Sequence, residues 1–208
     1  MKRMRRLGAA VALTAALSTP IQAQGIEFSG GVNFAKLSSD AIQNAAQNVG
    51  MNFGVDFIIP TGPIGLGLGF DWAQKGVEIS DGLVSSTVID LSYIEIPINL
   101  RFPLIGAGPV RLNLVVGPRI GINTGCEIKV DRGALADCAG FAEGFEVSQL
   151  DWSGTVGLGV SVSLGGLAYM VTDLTYVYGF TDVATDTVAD LKKNRAFTLQ
   201  AHLGFDIF

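Results

Sequence analysis

The sequence has few charged side chains and, after its first 23 residues, no long apolar run. Charged residues make up 16% of the 208 positions, whereas hydrophobic residues make up 49%. No stretch beyond residue 23 approaches the 18 or so consecutive apolar residues that a transmembrane helix requires. This absence excludes transmembrane helices from the rest of the chain.

Basic residues are also scarce outside the N-terminus. Four of the 14 Lys and Arg residues lie within the first six positions, and an apolar segment, 7–17, follows them. This order is typical of a bacterial secretory signal peptide, and the small Ala23 suits cleavage before Gln24. We therefore predict a signal peptide over residues 1–23 and a single domain over residues 24–208.

The predicted mature chain is acidic. Removing the signal peptide takes away four basic residues and none of the 19 Asp and Glu residues, which leaves ten basic residues and a net charge of −9. A protein that binds nucleic acid presents a basic surface to the phosphates. The composition therefore argues against nucleic acid as a partner.

Eight segments of the mature chain alternate apolar and polar residues with the period of a β-strand. The links between them alternate from long to short along the chain, which is typical of an up-and-down outer-membrane barrel. Strands of about 9–11 residues are long enough to cross a membrane when tilted. We predict an all-β fold, an eight-stranded antiparallel up-and-down transmembrane β-barrel. Its predicted strands are 26–37, 51–59, 64–72, 91–102, 110–123, 151–163, 167–179 and 195–208.

The segment 91–102 shows which face should point inward. From residue 94 to residue 102 one face carries only apolar residues, and the other carries Glu95, Pro97, Asn99 and Arg101. In a soluble barrel the polar faces would form an unusually uncharged surface, so we predict that the apolar faces meet lipid and the polar faces line a narrow lumen. Pro97 removes one donor from the strand ladder, and we expect a local bulge to accommodate it.

Charges of both signs fall on the predicted lumen faces. Buried charges are costly unless they are paired, so we predict a network of ion pairs rather than an open pore. A gated conduction path is the alternative for the same residues. The predicted network consists of Asp56, Asp71, Glu95, Arg101, Arg111 and Arg119, and Glu27 is a further candidate.

Four stretches of the chain resemble strands of the PorT-like outer-membrane β-barrel family, which is related in architecture to the OmpA and OmpX barrels. The resemblance covers essentially the whole mature chain, although Thr175 stands where that family often has arginine. It implies a protein of the bacterial outer membrane, surrounded by lipid and inserted by the barrel-assembly machinery. The stretches are YIEIPINLRF (93–102), LVVGPRIGI (114–122), DWSGTVGLGVSV (151–162) and TYVYGFTDV (175–183).

The only two cysteines, Cys126 and Cys138, lie twelve positions apart in the longest predicted loop. In an exported protein such a pair predicts a disulfide. Two free thiols are the alternative. A metal site is not favoured, because no histidine lies nearby.

His202 is the only histidine. Its position in the alternation matches that of Gln200 and Gly204, so we predict that it points into the lumen. The sequence shows no set of catalytic or metal-ligating partners around it. We therefore expect His202 to make interior hydrogen bonds, and we predict no catalytic activity, no metal and no cofactor.

These observations favour a structural or surface-interaction role for a barrel with a plugged polar lumen. The four long loops offer contacts to a protein partner at the cell surface, and a periplasmic partner is a second option. A narrow or gated pore for ions or small solutes is the main alternative. A lipid-modifying barrel enzyme and a soluble ligand-binding barrel are less favoured.

Overall fold

A computed structural model describes residues 25–39, 45–61, 63–80, 86–130, 134–138, 148–183 and 191–207. No helix within these ranges is long and apolar enough to cross a membrane. The predicted signal peptide lies outside the described residues. The described residues form nine strands: β1 (Gly25–Ser39), β2 (Ala45–Thr61), β3 (Ile64–Ser80), β4 (Ser86–Ala107), β5 (Val110–Val130), β6 (Ala134–Asp137), β7 (Leu150–Gly165), β8 (Ala168–Asp182) and β9 (Leu191–Asp206).

Eight of the strands close into an antiparallel barrel. Strands β1, β2, β3 and β4 each pair with the following strand, up to β5. Strand β5 then pairs with β7, β7 with β8, and β8 with β9. The barrel closes where β9 pairs with β1. The short β6 pairs with β5 alone and adds a small hairpin to the barrel. The predicted eight-stranded antiparallel barrel is therefore confirmed.

The strands on one side of the barrel are longer than predicted. Strands β4 and β5 contain 22 and 21 residues, and an extended strand of that length measures about 70 Å. A tilted crossing needs only about 9–11 residues, so β3, β4 and β5 continue well beyond it. The links predicted to follow strands 64–72 and 110–123 are wrong in part, because the strand pairing continues into both of them.

Tight turns join strands at one end of the barrel, which we call the turn end. Gly108 and Gly166 have φ values of 58° and 61° in the turns that follow β4 and β7. Only glycine adopts this left-handed conformation without a steric penalty. The opposite end, called the loop end, carries the longer connections. In outer-membrane barrels the tight turns face the periplasm.

The two faces of the barrel wall have opposite character, as predicted. Large apolar side chains are exposed on the outer face, as expected of a barrel surface that meets lipid. Polar and charged side chains are buried on the inner face, on positions that alternate with the apolar ones. The exposed outer set includes Phe28, Phe53, Phe57, Phe70, Trp72, Ile94, Val156, Leu158, Leu174, Phe197, Leu199, Leu203 and Phe205.

Pro97 sits on the inner face of β4 without a bulge. The pairing of β3 with β4 keeps one register from Leu68↔Ile98 to Asp71↔Glu95, and the register shifts between β4 and β5 lie elsewhere. The predicted bulge at Pro97 is therefore wrong. Gly69 makes room instead, because a Cβ at this position would lie 2.7 Å from Pro97 Cγ.

Candidate functional site

The barrel lumen holds two groups of buried charges. The group nearer the turn end, which we call the turn-side cluster, consists of Glu27, Asp56, Arg101, Asp173 and His202. The group nearer the loop end, the loop-side cluster, consists of Asp71, Lys75, Glu95 and Arg119. Strand alternation explains why all of these side chains point inward.

Arg101 is the centre of the turn-side cluster. Its Nη2 lies 3.2 Å from Glu27 Oε2 and 2.9 Å from Asp173 Oδ2, and its Nη1 donates a 3.2 Å hydrogen bond to Asp173 Oδ1. Strand β4, which carries Arg101, is separated from β1 and from β8 by two intervening strands. These ion pairs therefore cross the lumen instead of joining neighbouring strands.

His202 lies beside the same carboxylates. Its Nδ1 is 3.3 Å from Glu27 Oε2 and 3.7 Å from Asp56 Oδ2, while its Nε2 is 3.3 Å from Asp173 Oδ2. The side chain is 3% exposed, and within the described part of the chain neither ring nitrogen makes a hydrogen bond of good geometry. The predicted inward orientation of His202 agrees with this position. Its carboxylate partners come from three other strands, so their proximity to His202 could not be predicted from the sequence of any one strand.

Glu95 is the centre of the loop-side cluster. Its Oε1 pairs with Lys75 Nζ, and its Oε2 lies 2.7 Å from Arg119 Nη1. Lys75 Nζ also lies 5.4 Å from the centre of the Tyr93 ring, a cation–π contact. Lys75 was not among the predicted network residues, because the predicted strand ended at residue 72. Extending the alternation past Asp71 would have placed Lys75 inside.

The predicted network residues have different environments. Glu95, Arg101 and Arg119 take part in the ion pairs above. Asp56 and Asp71 are buried beside them, and Asp71 Oδ1 accepts no hydrogen bond.

The prediction fails for Arg111. The residue is exposed near the turn end of β5 and joins none of the ion pairs that the described residues form. Its position in the alternation is inward, but it comes directly after the first residue of the strand. The side chain therefore reaches solvent at the mouth of the barrel.

Beyond the charges, the inner face becomes apolar toward the loop end. The side chains at these positions are at most 8% exposed. They follow the same alternation as Lys75 and Glu95 along β3, β4 and β5. On these three strands the inner face thus changes from charged to apolar toward the loop end, and we call the apolar part the apolar layer. The apolar set consists of Val77, Ile89, Leu91, Tyr93 and Ile128.

A disulfide joins Cys126 on β5 to Cys138, which follows β6, with 5.5 Å between the two Cα atoms. The bond closes the hairpin that β6 forms with β5 at the loop end. Nearby, Lys129 Nζ lies 2.5 Å from Asp90 Oδ2, and this hydrogen bond raises the pKa of Lys129. Both contacts fix the part of the sheet that projects past the membrane.

The turn end contains a recess of about 380 Å³. Residues of the tight turns form its rim, and Glu27, Arg101 and Tyr169 contribute to its wall. Arg111 and Asp206 also line it. The recess therefore extends from the turn end as far as the turn-side cluster.

The chain is similar to one protein family and to several solved structures. Three solved structures resemble the chain: neisserial surface protein A (NspA; 12% identity, TM-score 0.48, 86% of this chain and 96% of that one), Ail of Yersinia pestis in complex with a heparin analogue (17%, 0.45, 87% and 98%) and OprG of Pseudomonas aeruginosa (13%, 0.46, 88% and 96%). No curated protein matches the sequence. Residues 22–185 match the family described as the outer membrane protein beta-barrel domain. Since this match spans most of the chain, the protein belongs to that outer-membrane β-barrel family.

Proposed function

We propose that this outer-membrane barrel is closed to solutes and serves as a structural scaffold that presents its loop end at the cell surface. The observation that supports a closed lumen is the pair of contacts that Arg101 makes with Glu27 and Asp173 across the barrel. A solute would have to break these buried contacts, and leaving one partner unpaired is strongly unfavourable.

The apolar lining at the loop end supports the same proposal. Leu91, Tyr93 and Val77 are almost fully buried inside the wall. An ion that passed them would lose its hydration without gaining polar partners. The apolar layer of β3, β4 and β5 lies beyond the charged clusters toward the loop end, and we propose that both oppose conduction.

The surface role is supported by the extension of β3, β4 and β5 past the length that a membrane crossing requires. The disulfide between Cys126 and Cys138 restrains the adjoining hairpin. We propose that this projecting sheet is the surface that meets a protein partner.

We also propose that the protein is a member of the PorT-like family, that residues 1–23 are removed as a signal peptide, and that the barrel-assembly machinery inserts the mature chain.

We propose further that the protein is not an enzyme. The only histidine is buried in the lumen beside carboxylates. The outer face, where a lipid substrate would bind, is mainly apolar. Loss of a lipid-modifying activity in cells that carry His202→Ala would contradict this part of the proposal.

Liposome swelling tests the closed lumen. Vesicles that contain the refolded protein should swell in isotonic solutions of small sugars or amino acids no faster than empty vesicles. A porin serves as the positive control. Swelling that increases with the amount of barrel would contradict the proposal.

Cysteine labelling on intact cells tests which end faces outward. Gln149→Cys, at the loop end, should react with a membrane-impermeant maleimide. Thr61→Cys, at the turn end, should react only after the outer membrane is permeabilised. Both positions are exposed, so accessibility within the protein does not distinguish them. The reverse pattern would contradict surface presentation of the loop end.

A narrow or gated pore is the second candidate, and the recess of about 380 Å³ at the turn end favours it. The recess already forms a polar half-channel as far as Arg101. A pore would therefore require movement only in the charged contacts and in the apolar layer above them. Voltage-dependent current distinguishes this candidate from the closed scaffold.

A further inference from the structure

The turn-side cluster contains more negative than positive charge. Glu27, Asp56 and Asp173 are buried together, and Arg101 is the one guanidinium that pairs with them among the described residues. With the His202 imidazole neutral, as a metal ligand must be, three carboxylates and one guanidinium leave two negative charges in excess. Burial of uncompensated charge is costly, so the cluster has the charge to accept a divalent cation.

We propose that Glu27, Asp56 and His202 bind a divalent transition-metal ion, for which zinc is the best-fitting example. Glu27, Asp56 and His202 each offer one ligand atom, and these atoms lie within 4.8 Å of one another. The inference goes beyond the proposed scaffold role, since a closed barrel does not require a metal.

The distances suit a tetrahedral site. Zinc lies about 2.0–2.2 Å from nitrogen and oxygen ligands, so two ligands of a tetrahedral zinc lie roughly 3.3–3.5 Å apart. His202 Nδ1 is 3.3 Å from Glu27 Oε2 and 3.7 Å from Asp56 Oδ2. The first distance already matches this spacing, and movement of the Asp56 carboxylate toward Nδ1 would bring the second to it. A water molecule would supply the fourth ligand.

The second nitrogen of His202 supports the same assignment. Its Nε2 faces Asp173 Oδ2 at 3.3 Å. Histidines that ligate a metal typically donate their other N–H group to a carboxylate, which fixes the tautomer and aims the free nitrogen at the ion. Arg101 contacts both Asp173 and Glu27, so it holds the outer carboxylate and one ligand in place.

The hydrogen bonding of His202 supports the same assignment. Three carboxylates surround the buried side chain, yet among the described residues neither ring nitrogen has a hydrogen bond of good geometry. A buried polar group without such a partner is unusual. A metal ion at Nδ1 would satisfy this nitrogen, and Asp173 could then move closer to Nε2.

The ligand set points to a transition metal. Calcium and magnesium prefer sites made wholly of oxygen, whereas an imidazole nitrogen suits zinc and the neighbouring transition metals.

The turn-end recess offers the ion a route of access. Glu27 forms part of the wall of this recess. An ion from the turn-end side therefore reaches Glu27, one of the proposed ligands, without crossing the apolar layer.

Zinc binding to the folded barrel in detergent micelles tests the proposal. Folding is first verified by the faster gel migration of the unheated protein, and zinc chloride is then titrated by calorimetry. The wild-type barrel should bind one zinc ion per chain. His202→Gln and Asp56→Asn should each weaken binding at least tenfold, and Asp173→Asn should weaken it by about 10–100-fold.

Asp151→Asn is the matched control, because Asp151 is also a buried carboxylate of the barrel wall but hydrogen-bonds to Thr181. This variant should bind zinc as tightly as the wild type. X-ray absorption of the zinc-loaded wild type should show an imidazole nitrogen among the ligands, a result that does not depend on whether any variant folds. Absence of zinc binding by the folded wild type would overturn the proposal. Unchanged binding by His202→Gln, or an all-oxygen spectrum, would also overturn it and would indicate an adventitious ion only.

Discussion

Arg101 and Asp173 form an ion pair across the barrel, with 2.9 Å between Nη2 and Oδ2. Their strands, β4 and β8, are not neighbours, so no backbone ladder holds the two residues together. In a soluble protein apolar side chains that meet in the interior perform this bridging role. Here the apolar side chains face lipid, and polar contacts across the lumen connect the opposite walls.

Replacing Arg101 should therefore destabilise the barrel. Arg101→Ala leaves Glu27 and Asp173 buried without their cation, and breaking a buried ion pair typically costs about 3–5 kcal/mol. We expect a loss of this size in the free energy of unfolding from lipid vesicles, measured by urea titration with tryptophan fluorescence.

Arg111→Ala is the matched control for Arg101→Ala. Arg111 lies on the neighbouring strand but is exposed at the turn end. Its replacement should change the free energy of unfolding by no more than about 0.5 kcal/mol. Equal losses in the two variants would show that the contacts across the lumen do not stabilise the barrel.

Gly69 should tolerate substitution less well than Gly65 on the same face of β3. A Cβ at Gly69 would overlap Asp56 and approach Pro97 Cγ to 2.7 Å, whereas the nearest atom to a Cβ at Gly65 is Arg101 Cβ at 3.7 Å. Gly69→Ala should cost about 1–3 kcal/mol, the usual penalty of overpacking. Gly65→Ala should be nearly neutral. Urea titrations of both variants would show whether this order holds, and the opposite order would contradict the packing described for Pro97.

Strand alternation was enough to predict the barrel and the direction of most side chains. The eight predicted strands all exist, and Glu95, Arg101 and His202 point inward as expected. Alternation assigns a side chain to a face because successive residues of a strand point to opposite sides. This assignment does not require knowledge of how the strands pair.

The partners of the inward residues could not be predicted in the same way. The contacts of Arg101 with β1 and β8 depend on how the strands are staggered around the closed barrel, which one strand's sequence does not reveal. The prediction for Arg111 failed for a related reason. The residue lies on the inner face, as predicted, but its position along the barrel axis places it at the mouth. Lys75 was missed because polar residues after Trp72 resembled a loop.

The two tryptophans test which face meets lipid. Trp72 and Trp152 are the only tryptophans, and they are 38% and 44% exposed on the outer face. Lipids brominated along their acyl chains should quench the fluorescence of both, measured separately in Trp72→Phe and Trp152→Phe. Quenching by aqueous iodide but not by brominated lipid would contradict the assignment of the apolar face to lipid.

Recording the current across a planar lipid bilayer tests the closed lumen most directly. The buried contacts of Arg101 and Glu95, together with the apolar layer above them, predict that the inserted wild-type barrel carries no current at any applied voltage. Insertion must be verified independently, by recovery of the heat-modifiable protein from the same vesicles. Stable current steps, with or without voltage gating, would contradict a closed scaffold and establish the pore.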